Sequence, residues 1–370
     1  MPAASAAVFF VRTCSRDLTL CPREVLPRVG YPAGSTRKRT LQPSIFSHNM
    51  PYISHSTYHP PLPFRQGHIN TVFAALGRRL PAMPYIRERW DTPDGDFLDV
   101  DWAAQGNSRR VLLALHGMEG DTSRPYVRGI LRAFAMHGWD ALSFNFRGCS
   151  GESNRLPRAY HMGETGDLDF VLHELLQRHD YDEVALVGFS LGGNVLLKYL
   201  GEQGRALHPA VKKAVAFSVP CHIPSSERAI ARPINRPYVW RFLRTLNPKM
   251  QRKAALFPGL INAAPPLPRS LREFDERFTA PLHGFAGAED YWQRSSSLPW
   301  IEKITVPTLL VNAQDDSFLS PQCFPRDLAE RLPDFYLETP RYGGHVGFVS
   351  RDAEQLYWSE RRALEFCVAG

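Results

Sequence analysis

Val184-Ala185-Leu186-Val187-Gly188-Phe189-Ser190-Leu191-Gly192 decides the fold. The run VALVG predicts a strand at 184–188, and a segment of helical period follows at 191–203. Ser190 therefore stands at the tip of a tight strand-to-helix turn. A side chain at such a tip is forced into a strained backbone conformation, and neighbouring elements crowd the positions two before and two after it. Gly188 and Gly192 occupy those two positions. The turn also aims the Leu191 backbone N–H, and the positive end of the helix, at whatever the serine attacks.

Outward from this turn the same alternation continues. Short apolar runs predict strands at 97–103, 111–115, 141–146, 214–219, 308–312 and 335–338, and helical periods fall at 124–137, 164–178, 322–331 and 352–367. Strands alternating with helices imply an α/β protein with a mostly parallel central sheet covered by helices on both faces. One interruption, at 221–303, offers no strand and is rich in Arg, Pro and aromatics. A break of this length marks a cap or lid insertion rather than a plain loop. Residues 50–220 and 304–370 are then the two parts of one core, and residues 1–49 a disordered tail or a mis-assigned start.

Composition excludes several classes. With 44% hydrophobic residues among 370, the chain can bury a large core and is not disordered. The formal charge of +7 is misleading, because residues 1–49 hold seven basic and two acidic residues, leaving the remainder at +2. That remainder lacks the polybasic footprint of a nucleic-acid binder. The six cysteines show neither CxxC nor zinc spacing, so no metal site or disulfide scaffold is expected and a reducing, cytoplasmic compartment fits. No run reaches the roughly 18 apolar residues that span a bilayer.

A nucleophilic serine needs a base, a group that orients the base, and a second oxyanion donor. The donor is expected after strand 111–115, where His116-Gly117-Met118-Glu119-Gly120 places the Met118 N–H, with His116 itself read as a buried hydrogen-bonding residue. The acid is expected after strand 308–312, in Asn312-Ala313-Gln314-Asp315-Asp316. Placement favours Asp316, with Asp315 as the alternative and more suited to capping the turn. The base is expected last, and Gly343-Gly344-His345-Val346-Gly347 offers His345 between the final strand and the terminal helix.

The stretches HGMEGDTSRPYVRGIL, FNFRGCSGESNRLPRAYHMGETGDL, GFSLGGN, TAPLHGFAGAEDYW, NAQDD and GGHVGF resemble the YheT-like branch of the α/β-hydrolases, which includes plant embryogenesis-associated proteins. The resemblance spans about residues 60 to 365. It implies an α/β-hydrolase fold with 221–303 as its cap, and a carboxylesterase or lipase-like enzyme that needs no cofactor. Ser190, Asp316 and His345 stand where the family's charge-relay residues stand, in the chain order Ser, Asp, His. The acid motif departs from the family's usual form, since Ser317 replaces the customary proline.

The expected substrate is a small-molecule ester or lipid-like molecule. Cap residues Tyr238, Trp240, Phe242, Leu243, Leu246, Phe257, Phe285, Tyr291 and Trp292 either wall an apolar acyl pocket or form ordinary core. Arg232, Arg236, Arg241 and Arg244 read as a solvated helix face, with anionic lipid headgroups as the sharper alternative. Arg147 is expected to pair with Glu152 or Glu164, and Cys149 has no histidine placed to activate it. An acyltransferase using the same three residues, or a non-catalytic binding protein of this fold, are the competing readings. No oligomeric state is legible.

Overall fold

A computed structural model describes residues 11–13, 51–81, 83–106 and 108–368. Of the residue 1–49 segment only the backbone of Val11–Thr13 is described, so the expectation for the rest lies outside the described residues. Ten strands form one sheet: β1 Val11–Thr13, β2 Tyr52–Ile53, β3 Ile86–Asp91, β4 Phe97–Ala104, β5 Arg110–Leu115, β6 Asp140–Asn145, β7 Glu183–Phe189, β8 Val211–Phe217, β9 Thr308–Val311 and β10 Phe335–Glu338. They lie side by side in the order β1-β3-β4-β6-β5-β7-β8-β9-β10-β2. Only β4 runs antiparallel to its neighbours, β3 and β6.

Alternation along each strand builds two cores. In β5, Val111, Leu113 and Leu115 point to one face and Leu112 and Ala114 to the other. The first face is covered by α3 (Gly166–Arg178) and α4 (Leu191–Gln203), the second by α2 (Pro125–Met136) and the terminal helix Trp358–Val368. Val111 to Leu115 are all fully buried, which explains a run apolar throughout. The segment between β8 and β9 contains only helices, among them α5 (Ile223–Ile230) and α6 (Arg236–Leu256). It has a small core of its own, built from Leu243, Leu246, Met250, Ile261, Phe274 and Phe278.

Strand β3 is not among the expected strands, and two expectations need correction. Strand β3 has no apolar period because Arg87 and Arg89 stand directly opposite Asp101 and Asp99 of β4, and each pair closes a fork-shaped ion pair. The helix expected at 322–331 is broken by Pro325, whose ring nitrogen has no proton for the helical ladder, leaving a 3-10 turn at Pro321–Cys323 and a helix at Arg326–Arg331. The helix expected from 352 begins only at Trp358, since the Asp352 side chain accepts from the N–H groups of Glu354 and Leu356 and folds that stretch into a turn.

The loop after β6 is fixed by a buried guanidinium. Arg147 pairs with Asp167 at 2.7 Å, Asp96 at 2.9 Å and Asp94 at 3.0 Å, joining the β3–β4 hairpin to the start of α3. The expected partners are otherwise engaged: Glu152 with Arg89, and Glu164 with Arg158 and His161. Arg147, Asp96 and Asp167 side chains are at most 2% exposed, so removing the cation strands two buried carboxylates. Arg147→Met is predicted to lower unfolding free energy by roughly 3–5 kcal/mol in a urea melt. Arg109→Met, which breaks an open surface pair with Asp182, should leave the midpoint unchanged.

Candidate active site

The sheet order places β6 on one side of β5 and β7 on the other, so the chain reverses its direction of travel along the sheet at β5. Ligands of open α/β sheets bind at the carboxyl ends of the strands beside such a point. The segments that follow β5, β7, β9 and β10 all gather there, and each brings one of the expected groups.

Ser190 caps α4 with φ 52° and ψ −117°. Its N–H is tied to the Phe217 carbonyl of β8 at 2.8 Å, which holds the turn against the sheet. A Cβ on Gly188 would lie 2.6 Å from the Gly192 carbonyl oxygen, and one on Gly192 would lie 2.4 Å from that of His116. Both approaches are too close for any side chain, as the turn requires.

His345 lies between the other two groups. Its Nε2 is 2.9 Å from Ser190 Oγ, and its Nδ1 is 2.8 Å from Asp316 Oδ2. The Asp316 side chain is fully buried and also accepts the Phe318 N–H at 2.9 Å, so the carboxylate is oriented from two sides. A carboxylate at Nδ1 keeps the proton there and leaves the Nε2 lone pair for the serine hydroxyl. The Phe318 ring packs on the imidazole with centroids 4.3 Å apart. Ser190, Asp316 and His345 are thus brought together, and Asp315 is not in hydrogen-bond contact with the imidazole.

Two phenols shape the loop after β5. Tyr126 accepts the Gly117 N–H at 3.0 Å, and Tyr160 accepts the Glu119 N–H at 2.9 Å. The Met118 N–H between them has no acceptor among the described residues. Glu119 takes φ 52°, which turns the loop toward the serine, and a Cβ on Gly117 would come within 3.3 Å of Ser190 Cβ. His116 is buried as expected, with Nε2 accepting from the Phe146 N–H and Nδ1 against the Gly117 carbonyl. Burial drives its pKa down to about 4, so it is neutral. Burial pushes the Cys149 thiol up to about 12, which removes it as a nucleophile at neutral pH.

Residues 110–352 match the family model for the alpha/beta hydrolase fold. The chain belongs to the α/β-hydrolase fold family. Within the family it is 36% identical over 305 residues to YheT of Escherichia coli (strain K12), covering 80% of this chain and 88% of that one. It is 28% identical over 303 residues to human phospholipase ABHD3, covering 79% and 74% of the two chains. Among solved structures, the Pyrococcus furiosus esterase Pf2001 overlays with a TM-score of 0.52 at 17% identity, over 78% of this chain and 95% of that one. That last likeness is one of fold. The YheT-like resemblance read from the motifs is therefore correct.

A cleft opens between α6 and the core beside Met118 and Leu191. Leu246, Met250, Phe274, Phe278, Leu282 and Tyr291 give it an apolar lining. The expected aromatic wall is only partly there. Of the nine residues named for it, Leu246 and Tyr291 line the cleft, Trp292 is buried with its indole N–H on Asp275, and Trp240 is 61% exposed on the outer surface. At the rim, Lys249 of α6 forms a 2.8 Å ion pair with Glu119.

The supports of the histidine loop carried no sequence signal. Helix α1 (Gly67–Val72) supplies Thr71, whose hydroxyl accepts the His345 N–H at 2.8 Å, and Asn70, whose amide oxygen accepts the Val349 N–H at 3.1 Å. Ser218 at the end of β8 accepts the Val346 N–H at 2.9 Å. Asp315 accepts the Gly344 N–H at 2.8 Å, so it ties the neighbouring loop, while the turn it is expected to cap is closed by Asp316, which accepts the Phe318 N–H.

Asp315 Oδ2 is buried with no hydrogen-bond partner, and burial above all, opposed by the Gly344 N–H and reinforced by Asp316, pushes this carboxyl up to about 6. An unfolded aspartate titrates near about 3.9. Between these values the folded chain holds a proton that the unfolded chain has released, so stability falls as pH rises from about 4 to about 6. Asp315→Asn keeps an acceptor for Gly344 and removes this loss. In urea melts the variant is predicted to gain stability over the parent between pH 4 and pH 7. A difference constant across that range would contradict the assignment.

Proposed function

We propose that this chain hydrolyses carboxylic esters with an apolar, lipid-like acyl group, using Ser190 as nucleophile, His345 as general base and acid, and Asp316 as its orienting group. The observation that carries the reading is the continuous hydrogen-bonded line from Asp316 through His345 to Ser190, ending on a serine held at φ 52°. The names of the relatives, an esterase and a phospholipase among them, agree with ester chemistry.

Ser190 Oγ attacks the carbonyl carbon as its proton passes to His345 Nε2, and Asp316 stabilises the imidazolium. The oxyanion is held by the N–H groups of Met118 and Leu191, which are aimed before reaction and need no reorganisation. Collapse breaks the ester C–O bond, and the alcohol leaves with the proton from His345. Water then gives its proton to His345 and attacks the acyl-serine, which releases the carboxylic acid and restores Ser190. A carboxylate at the elbow would lead to alkyl-ester chemistry; a serine restricts the site to acyl transfer.

Residues 221–303 act as the cap. Their contribution is the outer wall of the apolar cleft, so the acyl chain runs from Ser190 toward Leu246, Met250 and Phe278. The Lys249–Glu119 ion pair couples that wall to the loop carrying Met118.

The test is turnover of a p-nitrophenyl ester series from acetyl to palmitoyl by the purified chain. Wild type is predicted to hydrolyse the series with an optimum above acetyl. Ser190→Ala should lose roughly 10⁴–10⁶ in kcat, and Asp316→Asn roughly 10⁴. Equal turnover by Ser190→Ala would contradict the assignment.

A further inference from the structure

Charge is not spread evenly over this chain. Residues 228–272 contain ten Lys and Arg and not one Asp or Glu, whereas the other residues from 50 onward contain 27 basic and 35 acidic ones. The near-neutral total therefore conceals a cationic surface set against an acidic remainder. Helix α6 carries most of it. Leu243, Leu246, Met250 and Lys253 turn inward, and Arg241, Arg244 and Arg252 are exposed on the opposite side with no ion pair among the described residues. Trp240, Leu256 and Leu260, all about 60% exposed, are interleaved with these arginines, as is Ile234 at 62%. The Arg244 guanidinium lies 4.6 Å over the Trp240 ring.

A second exposed apolar row adjoins the first. Ile69, Val72 and Leu76 follow one another at helical spacing along α1 and its continuation, and all three are exposed. His68 of α1 meets Tyr238 at the start of α6, with Nδ1 3.1 Å from the hydroxyl. Since Thr71 of α1 holds the His345 backbone and Phe318 packs between Tyr238 and His345, this face adjoins the histidine loop.

We propose that the surface formed by the outer sides of α6 and α1 docks on an anionic lipid bilayer. Unpaired arginines alone would suit any polyanion. An exposed Trp among them, with apolar residues able to enter the headgroup boundary, matches the chemistry of a lipid interface. The proposal deepens the lipid-ester reading by stating where such substrates are met, but the binding itself does not require the chain to be catalytic.

The test is co-sedimentation of the full chain with vesicles of phosphatidylcholine alone or mixed equally with phosphatidylglycerol. Binding is expected only to the anionic vesicles and is expected to weaken with added salt. The triple variant Arg241→Gln, Arg244→Gln, Arg252→Gln should lose roughly 100-fold in vesicle partitioning. Trp240→Ala should weaken binding without changing its salt dependence. Because the basic residues before position 50 are present in parent and variant alike, the comparison isolates α6. Melting temperature confirms the variants' fold whether or not soluble esters are hydrolysed, so loss of this proposal and loss of the hydrolase reading are distinguishable. Parent protein left in the supernatant, or a triple variant that pellets as well as the parent, would overturn the proposal. So would binding displaced by an RNA oligonucleotide and indifferent to Trp240→Ala.

Discussion

Ser190 occupies a backbone conformation that a residue with a Cβ rarely adopts, and much of the surrounding structure follows from sustaining it. At φ 52° and ψ −117° the serine projects away from both the strand it ends and the helix it begins. Holding it there costs of order 1–3 kcal/mol, which the neighbours must offset. The β8 carbonyl at Phe217 grips its N–H, while Gly188, Gly192 and Gly193 let β5, β7, α4 and Val219 close to within contact that a methyl group would prevent. Two fully packed faces of the sheet make this turn rigid.

The histidine loop is the complementary construction. Its backbone N–H groups at 344, 345, 346 and 349 are accepted by Asp315, Thr71, Ser218 and Asn70, which come from three separate parts of the chain. Gly344, at φ 57°, allows the loop to pass against the Gly67 carbonyl, where a Cβ would lie at 2.2 Å. The imidazole is thereby set from behind by backbone contacts and from one side by Asp316. Ser190 belongs to a tight local turn, whereas His345 is positioned by long-range contacts.

That difference explains what was legible in the sequence. Ser190, Met118, Asp316 and His345 could be read because each follows an apolar strand, and short turn chemistry leaves a local mark. Strand β3 escaped because its order comes from arginines paired across to aspartates, which no apolar period records. Thr71, Asn70, Tyr126 and Tyr160 escaped for a related reason: each acts by a side-chain hydrogen bond across a large sequence separation or from inside a helix, and residue type alone does not mark it. The Arg147 pairing was right in kind and wrong in partner, since the β3–β4 hairpin that supplies Asp94 and Asp96 is brought to it only by the antiparallel edge of the sheet. The outward position of Trp240 likewise depends on which side of α6 packs inward.

The inserted helices give this common scaffold its individual character, an apolar cleft toward the core and a cationic surface with exposed apolar residues away from it. The cleft bears on catalysis only if Ser190 is the nucleophile. The most direct measurement is mass spectrometry of proteolytic peptides after reaction with a fluorophosphonate. One adduct per chain, on the peptide containing Ser190 and absent from His345→Ala, is the predicted result. No adduct, or an adduct on another residue in the wild-type chain, would contradict it.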